Sequence, residues 1–263
     1  MKFLVFCESD AEFRTVRGLV ERVVRDEGPS WVKEHLESYP LESLCEWVGD
    51  GSGISFFDVH LVYKYAQDKK YARGKGLRLP HSRFDGSRAA PGYLMTQTAL
   101  LVAREEAKIS KRIDAVILVW DADDQGDARR KGFKQTRTTA RPDEQFRVVL
   151  GCSDMEREAW VLAGFEPEHK TEQQRLDEER RALGFCPSAE AYRLRDKDDH
   201  TPRSPKRALA SLMSGDSSRE ERCWMEAPLD RLKQRGESSG LKAFLVEIGS
   251  ELVPLVSSGP SPS

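Results

Sequence analysis

Three short apolar runs predict buried β-strands, and each is followed by a polar segment and a helical pattern. The runs cover residues 2–7, 115–120 and 146–150. Short runs of branched apolar residues bounded by polar residues are typical of strands buried on both faces of a parallel sheet. We therefore predict an α/β fold in which a mostly parallel sheet is flanked by helices.

Apolar residues at helical spacing predict the elements that connect and follow these strands. Ser9 or Asp10 can cap a first helix directly after the first strand. Positions that repeat every three or four residues indicate helices in most of the remaining segments. The predicted helices cover residues 13–24, 31–47 with an interruption at Pro40, 93–109, 175–183, 208–213, 229–232 and 241–256, and a further strand covers residues 54–62.

Composition divides the chain into three regions. Residues 1–165 contain the predicted sheet and form the core, with a helical insertion near residues 28–50. Residues 166–256 are highly charged and are predicted to form a helical C-terminal extension. Residues 257–263 are rich in Ser, Pro and Gly, and we predict that they are disordered.

The chain has the features of a cytoplasmic protein. No apolar stretch approaches the ~20 residues that span a bilayer, so we expect no membrane association. The first strand pattern runs directly into charge at Glu8, unlike a signal peptide. The five cysteines are scattered without close pairs, which favours reduced thiols over a disulfide framework or a zinc site.

Acidic residues follow each of the three predicted strands. Asp121 and Asp123 come directly after the second strand, and a continuing strand would place both carboxylates on the same side. Like charges this close repel unless a cation neutralises them, and Mg²⁺ or Mn²⁺ is the expected partner. Glu8 follows the first strand, and Glu156 and Glu158 follow the third. Open α/β sheets bind ligands at the carboxyl ends of their strands, so this edge is the candidate site.

Two basic segments contrast with the net charge of −2. Residues 64–88 contain eight Lys or Arg and two Asp, with Tyr71 and Phe84 among them, and residues 129–141 contain six Lys or Arg and no acid. Basic side chains with interleaved aromatics suit a nucleic-acid backbone with exposed bases, and a solvated surface loop is the equally weighted alternative. The candidate nucleic-acid contacts are Lys69, Lys70, Arg73, Lys75, Arg78, Arg83, Arg129, Arg130 and Lys131.

Three acidic motifs occur in the order that is found in Toprim domains. They are Glu8-Ser-Asp-Ala-Glu12, Asp121-Ala-Asp123, and the segment Glu-Arg-Glu-Ala-Trp-Val-Leu-Ala at 156–163. In this order the chain resembles the Toprim domains of topoisomerases, DnaG-type primases and overcoming-lysogenisation-defect nucleases. It resembles more closely the small Toprim nuclease-like family encoded beside ATPases in bacterial defence loci. The resemblance covers roughly residues 1–215 and implies a Toprim-like, Rossmann-like fold.

The sequence departs from that family at three places. Ser9 stands where the family has a glycine after the first Glu, and Gly164 stands where members often have Asp. The insertion near residues 28–50 has no counterpart in the family pattern. None of these departures removes a residue that the resemblance implies as a metal ligand.

The resemblance implies metal-dependent cleavage of phosphodiester bonds in DNA or RNA, in the setting of an anti-phage defence system. A carboxylate cluster that holds one or two Mg²⁺ or Mn²⁺ ions can polarise a phosphate and stabilise the attacking and leaving oxygens. Asp121 and Asp123 would be the main ligands, and Glu8 a further ligand or the general acid–base. Glu156 or Glu158 would support a second metal ion, and Asp124 would be a reserve ligand. Lys206, in the family's downstream Pro-Lys, would neutralise phosphate charge, and a plain surface lysine is the alternative.

Two other functions fit the same residues. A metal-dependent nucleotidyl or glycosyl transferase would use the Asp-x-Asp for a nucleotide diphosphate, but it leaves the basic segments unexplained. A catalytically silent Toprim subunit would only dock onto a partner ATPase, and the retained carboxylates speak against it. No Gly-x-x-x-x-Gly-Lys-Ser/Thr motif is present. Any ATP-dependent step would therefore need an ATPase partner.

Overall fold

Strands and helices are interspersed along the described chain as far as the last strand, and the elements after it are all helices. The computed structural model describes residues 1–51, 53–71, 83–110, 112–123, 125–139 and 146–258. The strands are β1 (Lys2–Cys7), β2 (Glu46–Val48), β3 (Phe57–Asp58), β4 (Arg83–Phe84), β5 (Ser87–Arg88), β6 (Ala115–Val119) and β7 (Arg147–Gly151). The helices are α1 (Asp10–Glu27), α2 (Ser30–Ser38), α3 (Val62–Asp68), α4 (Tyr93–Ser110), α5 (Gly126–Thr139), α6 (Glu158–Gly164), α7 (Lys170–Leu183), α8 (Pro205–Met213), α9 (Ser217–Met225), α10 (Leu229–Arg235), α11 (Leu241–Glu251) and α12 (Val253–Ser257).

Five strands form one parallel sheet with β1 at its centre. β2 and β3 pair with opposite ends of one side of β1, β6 pairs with the other side, and β7 continues beyond β6. β4 and β5 form a separate antiparallel hairpin. The chain moves first to one side of β1 and then to the other, so a topological switch point lies between β1 and β6. Doubly wound proteins bind their ligands at this point, beyond the carboxyl ends of the strands.

Helices cover both faces of the sheet, which confirms the predicted α/β class with a flanked parallel sheet. Phe3 and Val5 of β1 face a core shared with α1, α2 and α6, while Leu4 and Phe6 face a second core shared with α3, α4 and α5. The helices after β7 belong to the first of these cores, to which Phe244 of α11 contributes. Full burial of such a side chain stabilises the fold by about 1.5–3 kcal/mol.

The segment after α1 differs from its predicted helix. α2 ends at Ser38 because Pro40 disfavours a helical conformation in the residue before it, and Tyr39 is extended with φ −135°. Residues 46–48 are a strand, β2, paired with the start of β1. In the apolar run 54–62 only two residues form β3, and Val62 already begins α3.

Three helices were not predicted from the sequence, namely α3, α5 and α9. α5 was interpreted as a turn and a basic stretch, because its apolar content is low and Phe133 is its one large buried hydrophobic residue. Gly132 lets this helix pack closely, since a Cβ there would lie 1.9 Å from the carbonyl oxygen of Pro91. α9 carries Cys223 and Trp224 into the core, at a spacing too sparse for a periodic signal.

Side chains cover the outer edge of β7, which no strand of the described chain extends. The Leu150 N–H donates to the Glu247 carboxylate at 2.7 Å, and Arg137 donates to the Val148 carbonyl at 3.1 Å. Arg137 and Glu247 also pair with each other at 2.8 Å. The ion pair therefore satisfies two backbone groups on an edge that would otherwise be open to pairing with another chain.

Several predicted features lie outside the described residues. They include Asp124, most of the 257–263 tail, and three candidate contacts of the first basic segment, namely Arg73, Lys75 and Arg78. All five cysteines have free thiols, as expected. Over the described ranges, no helix is long and apolar enough to cross a membrane.

Candidate functional site

The carboxyl ends of β1, β6 and β7 lie side by side at one edge of the sheet. The three strands pair in parallel register, and neighbouring strands in such a sheet are about 4.8 Å apart. Backbone pairing continues past β6, because the Ala122 N–H donates to the Ser153 carbonyl at 2.8 Å. Glu8, Asp121 and Ser153 therefore follow adjacent strand ends at the switch point of the sheet.

Asp121 is the centre of a group of mutually repelling carboxylates. Its own carboxylate accepts a hydrogen bond from the Ser153 hydroxyl. Burial raises the pKa of Asp121 well above its usual range; the Ser153 hydrogen bond opposes that rise, and the charges of Glu8, Glu158 and Glu156 add to it. The three predicted acidic strand ends therefore interact electrostatically. Like charges held this close favour a protonated form or a bound cation.

Glu12 belongs to this acidic group, although it was not among the candidate site residues. Ser9 is the N-cap of α1, and its hydroxyl accepts from the Glu12 N–H at 3.2 Å. The Glu12 carboxylate in turn accepts from the Glu8 N–H at 2.6 Å, as in a capping box shifted by one residue. Burial and then the charge of Asp121 raise the pKa of Glu12 well above its usual range. Its Oε1 atom is buried without a hydrogen-bond partner in the described part of the chain.

Glu8 lies at the entrance to the acidic group beside a histidine. The His60 Nε2 atom is 3.6 Å from Glu8 Oε1, and His60 is largely exposed. Burial raises the pKa of Glu8, the neighbouring His60 lowers it, and the charge of Asp123 raises it. His60 was not predicted as a site residue. It follows β3, whose pairing with β1 brings it to Glu8.

Asp121 and Asp123 do not share one side of a strand, which corrects the sequence prediction. β6 ends at Val119, and Asp123 has a left-handed backbone with φ 52°, so the two-residue alternation of a strand no longer applies. Asp123 pairs with Arg129 at 3.2 Å and with Lys197 at 3.3 Å. Its carboxylate is thus neutralised by two cations, whereas Asp121 faces other carboxylates.

Glu156 and Glu158 both lie near Asp121 but have different partners. Glu156 precedes α6, is buried, and accepts from Lys206 at 3.0 Å, while its Oε2 atom has no hydrogen-bond partner among the described residues. Burial raises the pKa of Glu156, the Lys206 hydrogen bond opposes the rise, and the charge of Glu158 adds to it. Glu158 is in the first turn of α6 and pairs with Arg157 at 3.3 Å. Glu156 therefore lies outside the helix that carries Glu158.

Three cations of the site come from the segment before α8 and from the start of α8. Lys197 and Lys206 are each about half exposed and pair with site carboxylates, and Arg195 pairs with Asp154 at 3.0 Å. Lys206 was predicted as a site residue, whereas Arg195 and Lys197 were not, because they belong to a long polar region with no distinguishing spacing. Asp154 lies three residues after the end of β7, so its position near a strand end was a signal that the sequence did contain.

Arg157 was also missed, and it is a buried cation of the site. Its guanidinium donates to Thr15 at 3.1 Å and to Glu220 at 3.0 Å, in addition to its contact with Glu158. It therefore ties the end of β7 to α1 and α9. Its neighbours in the motif, Glu156 and Glu158, are the residues that the sequence pattern singled out.

The described candidates for nucleic-acid contact occupy different environments. Arg129 is only 4% exposed, which corrects its interpretation as a surface contact. It donates to the backbone carbonyl of Asp121 and lies 3.9 Å from the centroid of the Trp120 ring. Arg130 is partly buried and pairs with Asp127 at 2.9 Å. The exposed members of the set are Lys69, Lys70, Arg83 and Lys131.

The donor chemistry of the site fits a divalent cation, but its present arrangement does not form a complete cage. Carboxylate oxygens are the ligands that Mg²⁺ and Mn²⁺ prefer, and Glu12 and Glu156 each have a buried oxygen without a partner. Within the described ranges, no group of three or more His, Cys, Asp or Glu side chains is arranged so that it could hold a metal ion. Binding would therefore require side chains to reorient, above all those now paired with lysines.

Comparison with known proteins adds no relative to this description. No protein-family model, no curated protein and no solved structure matches the chain. The fold and the acidic strand ends define an α/β protein with a charged site at the switch point of a parallel sheet.

Proposed function

We propose that this protein is a Mg²⁺- or Mn²⁺-dependent nuclease of the Toprim type, which cleaves phosphodiester bonds in DNA or RNA. The observation that carries the proposal is the acidic group at the switch point, in which the charges of Glu8, Glu156 and Glu158 all raise the pKa of Asp121. Grouping like charges in a buried place destabilises the fold, and such arrangements are typical of functional sites. The motif order of the resemblance to Toprim nucleases supports the same assignment.

Glu8, Asp121 and Glu158 are the residues that would hold the metal ion, with Glu12 and Glu156 as the nearest further carboxylates. A bound Mg²⁺ or Mn²⁺ would neutralise this acidic group and supply Lewis-acid stabilisation to a phosphate. Asp123 would join only after it leaves Arg129 or Lys197, its present partners.

The chain's own cations and bases have separate roles in this proposal. Lys197 and Lys206 are half exposed at the edge of the acidic group, and both can contact a phosphate as point charges. Where it does not hold the metal ion, Glu8 would accept the proton of the attacking water at its carboxylate, whose pKa is raised by burial. His60, 3.6 Å from Glu8, can carry that proton to solvent.

A second function is favoured by a specific observation. Asp123 and Glu156 are already neutralised by lysine side chains of the protein. In the part of the chain that is described, no three His, Cys, Asp or Glu side chains are arranged so that they could hold a metal ion. A catalytically silent subunit that docks onto a partner ATPase would keep such an internally paired site. In either case the setting we propose is a cytoplasmic anti-phage defence system with a partner ATPase.

A cleavage assay separates the two functions. The purified protein is incubated with plasmid DNA, single-stranded oligonucleotides and total RNA in Mn²⁺, Mg²⁺ or EDTA. We expect cleavage that EDTA abolishes and that Asp121→Asn and Glu8→Gln each reduce at least about a hundredfold, with circular dichroism spectra unchanged. Gln174→Ala, an exposed substitution on α7, is the matched control. Cleavage by both site variants at the wild-type rate would refute the assignment, and no cleavage by wild type with any substrate would favour the silent subunit.

A further inference from the structure

A pocket next to the acidic site has no role in the proposed reaction. It lies between α5, the end of β7 and α11, and it encloses about 260 Å³. Its floor is apolar and includes Phe133, Leu150 and Ala243, while Arg130, Lys134 and Arg137 line its side on α5. This volume is close to the lower end of the ~300–1,000 Å³ that small-molecule sites occupy.

The cations of the pocket come from one face of one helix. Arg130, Lys134 and Arg137 are four and three residues apart along α5, so they share a face. Their charges outweigh that of Glu247, the acidic residue among the residues that line the pocket. Arg137 is engaged by Glu247 and by the backbone of β7. Lys134 is exposed, and the Nη2 atom of Arg130 is buried without a hydrogen-bond partner among the described residues.

Arg130 connects the pocket with the acidic site. Its Nη2 atom is 3.8 Å from the Asp154 carboxylate, which follows the end of β7. The preceding residue, Arg129, donates to the Asp121 backbone. A ligand in the pocket would therefore lie near Asp154, beyond the end of β7.

We propose that this pocket binds one unstacked nucleotide unit of a single-stranded nucleic acid, with the base on the apolar floor and a phosphate at Lys134 and Arg130. The choice of nucleic acid as ligand rests on the proposed function. An apolar floor beside cations matches the two parts of a nucleotide, since bases stack on apolar surfaces and phosphates bind cations. A base inside a duplex cannot enter a pocket of this kind without being flipped out, so single strands are the favoured substrates.

Binding in the absence of metal tests the pocket independently of cleavage. Fluorescence anisotropy in EDTA measures the Kd for a labelled ten-nucleotide single strand, for a blunt duplex of the same sequence, and for a free mononucleotide as competitor. Ala243→Phe places an aromatic ring in the pocket, and Ser250→Phe, on the same helix outside the pocket, is the matched control. Lys134→Ala removes one charge without changing the floor, and Lys170→Ala on α7 is its control.

We expect Ala243→Phe to weaken single-strand binding at least about fivefold, which is the lower limit for the loss of one stacked base. Lys134→Ala should lower the slope of log Kd against log salt by about 0.7, the value for one phosphate of a single strand. The two controls should bind as wild type does. The duplex should bind more weakly and should not respond to Ala243→Phe. If Ala243→Phe weakens binding of the free mononucleotide but not of the single strand, the single-strand proposal is overturned.

The proposal is overturned if the single strand binds equally well to wild type, Ala243→Phe and Lys134→Ala, or does not bind to wild type. Thermal melting of each variant checks that it folds. If Ala243→Phe does not fold, Lys134→Ala still tests the pocket. The two proposals fail separately. If cleavage depends on metal but binding does not respond to the pocket variants, only the pocket proposal is refuted. If binding responds to the pocket variants but no cleavage occurs, only the nuclease proposal is refuted.

Discussion

Replacement of Arg129 tests whether this residue anchors the loop after β6, which carries Asp121 and Asp123, or contacts a ligand. Its guanidinium donates to the Asp121 backbone and to the Asp123 carboxylate, and it lies over the Trp120 ring with only 4% of the residue exposed. In Arg129→Ala all three contacts are lost, and Asp121 retains a backbone carbonyl without its donor. We therefore expect the variant to be destabilised and the loop after β6 to be displaced.

The magnitude follows from these contacts. A charge-assisted hydrogen bond contributes about 1.5–3 kcal/mol and a desolvated cation–π contact up to about 2 kcal/mol. Asp123 is about one-third exposed and keeps Lys197 as a partner, so part of its pairing survives. We expect a loss of about 3 kcal/mol in the free energy of unfolding, which corresponds to a Tm lower by about 6–12 °C for a chain of this length.

Urea and thermal unfolding followed by circular dichroism measure this loss. Lys131→Ala is the control, because Lys131 is exposed on the same helix and its substitution should change stability by less than about 0.5 kcal/mol. Arg129→Lys keeps the charge but loses the planar guanidinium, so its free energy of unfolding should lie between those of wild type and Arg129→Ala. If Arg129→Ala unfolds like Lys131→Ala, the anchoring role is refuted.

Two further predictions concern the acidic group and the packing of α6. The raised pKa of Asp121 means that the native state holds a proton that the unfolded state has released, so the stability of the metal-free wild type falls as the pH rises. Asp121→Asn should therefore melt at a higher temperature than wild type in EDTA at pH 8, with the difference vanishing near pH 4, and an unchanged difference across this range would contradict the reasoning. Gly164→Ala should lower the free energy of unfolding by about 1–3 kcal/mol or more, because its Cβ would lie 1.8 Å from the Cys223 carbonyl oxygen. If it unfolds in urea as Gln174→Ala does, α6 and α9 are not packed this closely.

The contact at Gly164 also explains one departure from the Toprim-like pattern. A side chain such as Asp at this position would collide with the backbone of α9, which packs on α6 in this protein. α9 was not predicted from the sequence, so the reason for a glycine at 164 was not accessible before the fold was known. The departure is a consequence of how the C-terminal helices cover the sheet.

The sequence by itself determined the strands β1, β6 and β7, most helices and the positions of the acidic strand ends. These three strands are visible as short apolar runs because both of their faces are buried. Ser9 or Asp10 was predicted as the cap of α1, and the cap is Ser9. These signals are local, since periodicity and capping depend on residues a few positions apart. The short strands β2 and β3 were not separable from their surroundings, because their pairing with β1 is what makes them strands.

Only the tertiary structure decided which charges face one another. Asp121 and Asp123 are neighbours in sequence, yet one meets carboxylates and the other meets Arg129 and Lys197. Lys197 reaches the site from a segment more than seventy residues away along the chain, and nothing in its local pattern distinguishes it from a solvated lysine. Arg129 is buried although it lies in a run of basic residues. Ion pairing and burial depend on packing between distant segments, and local patterns of residues do not contain that information.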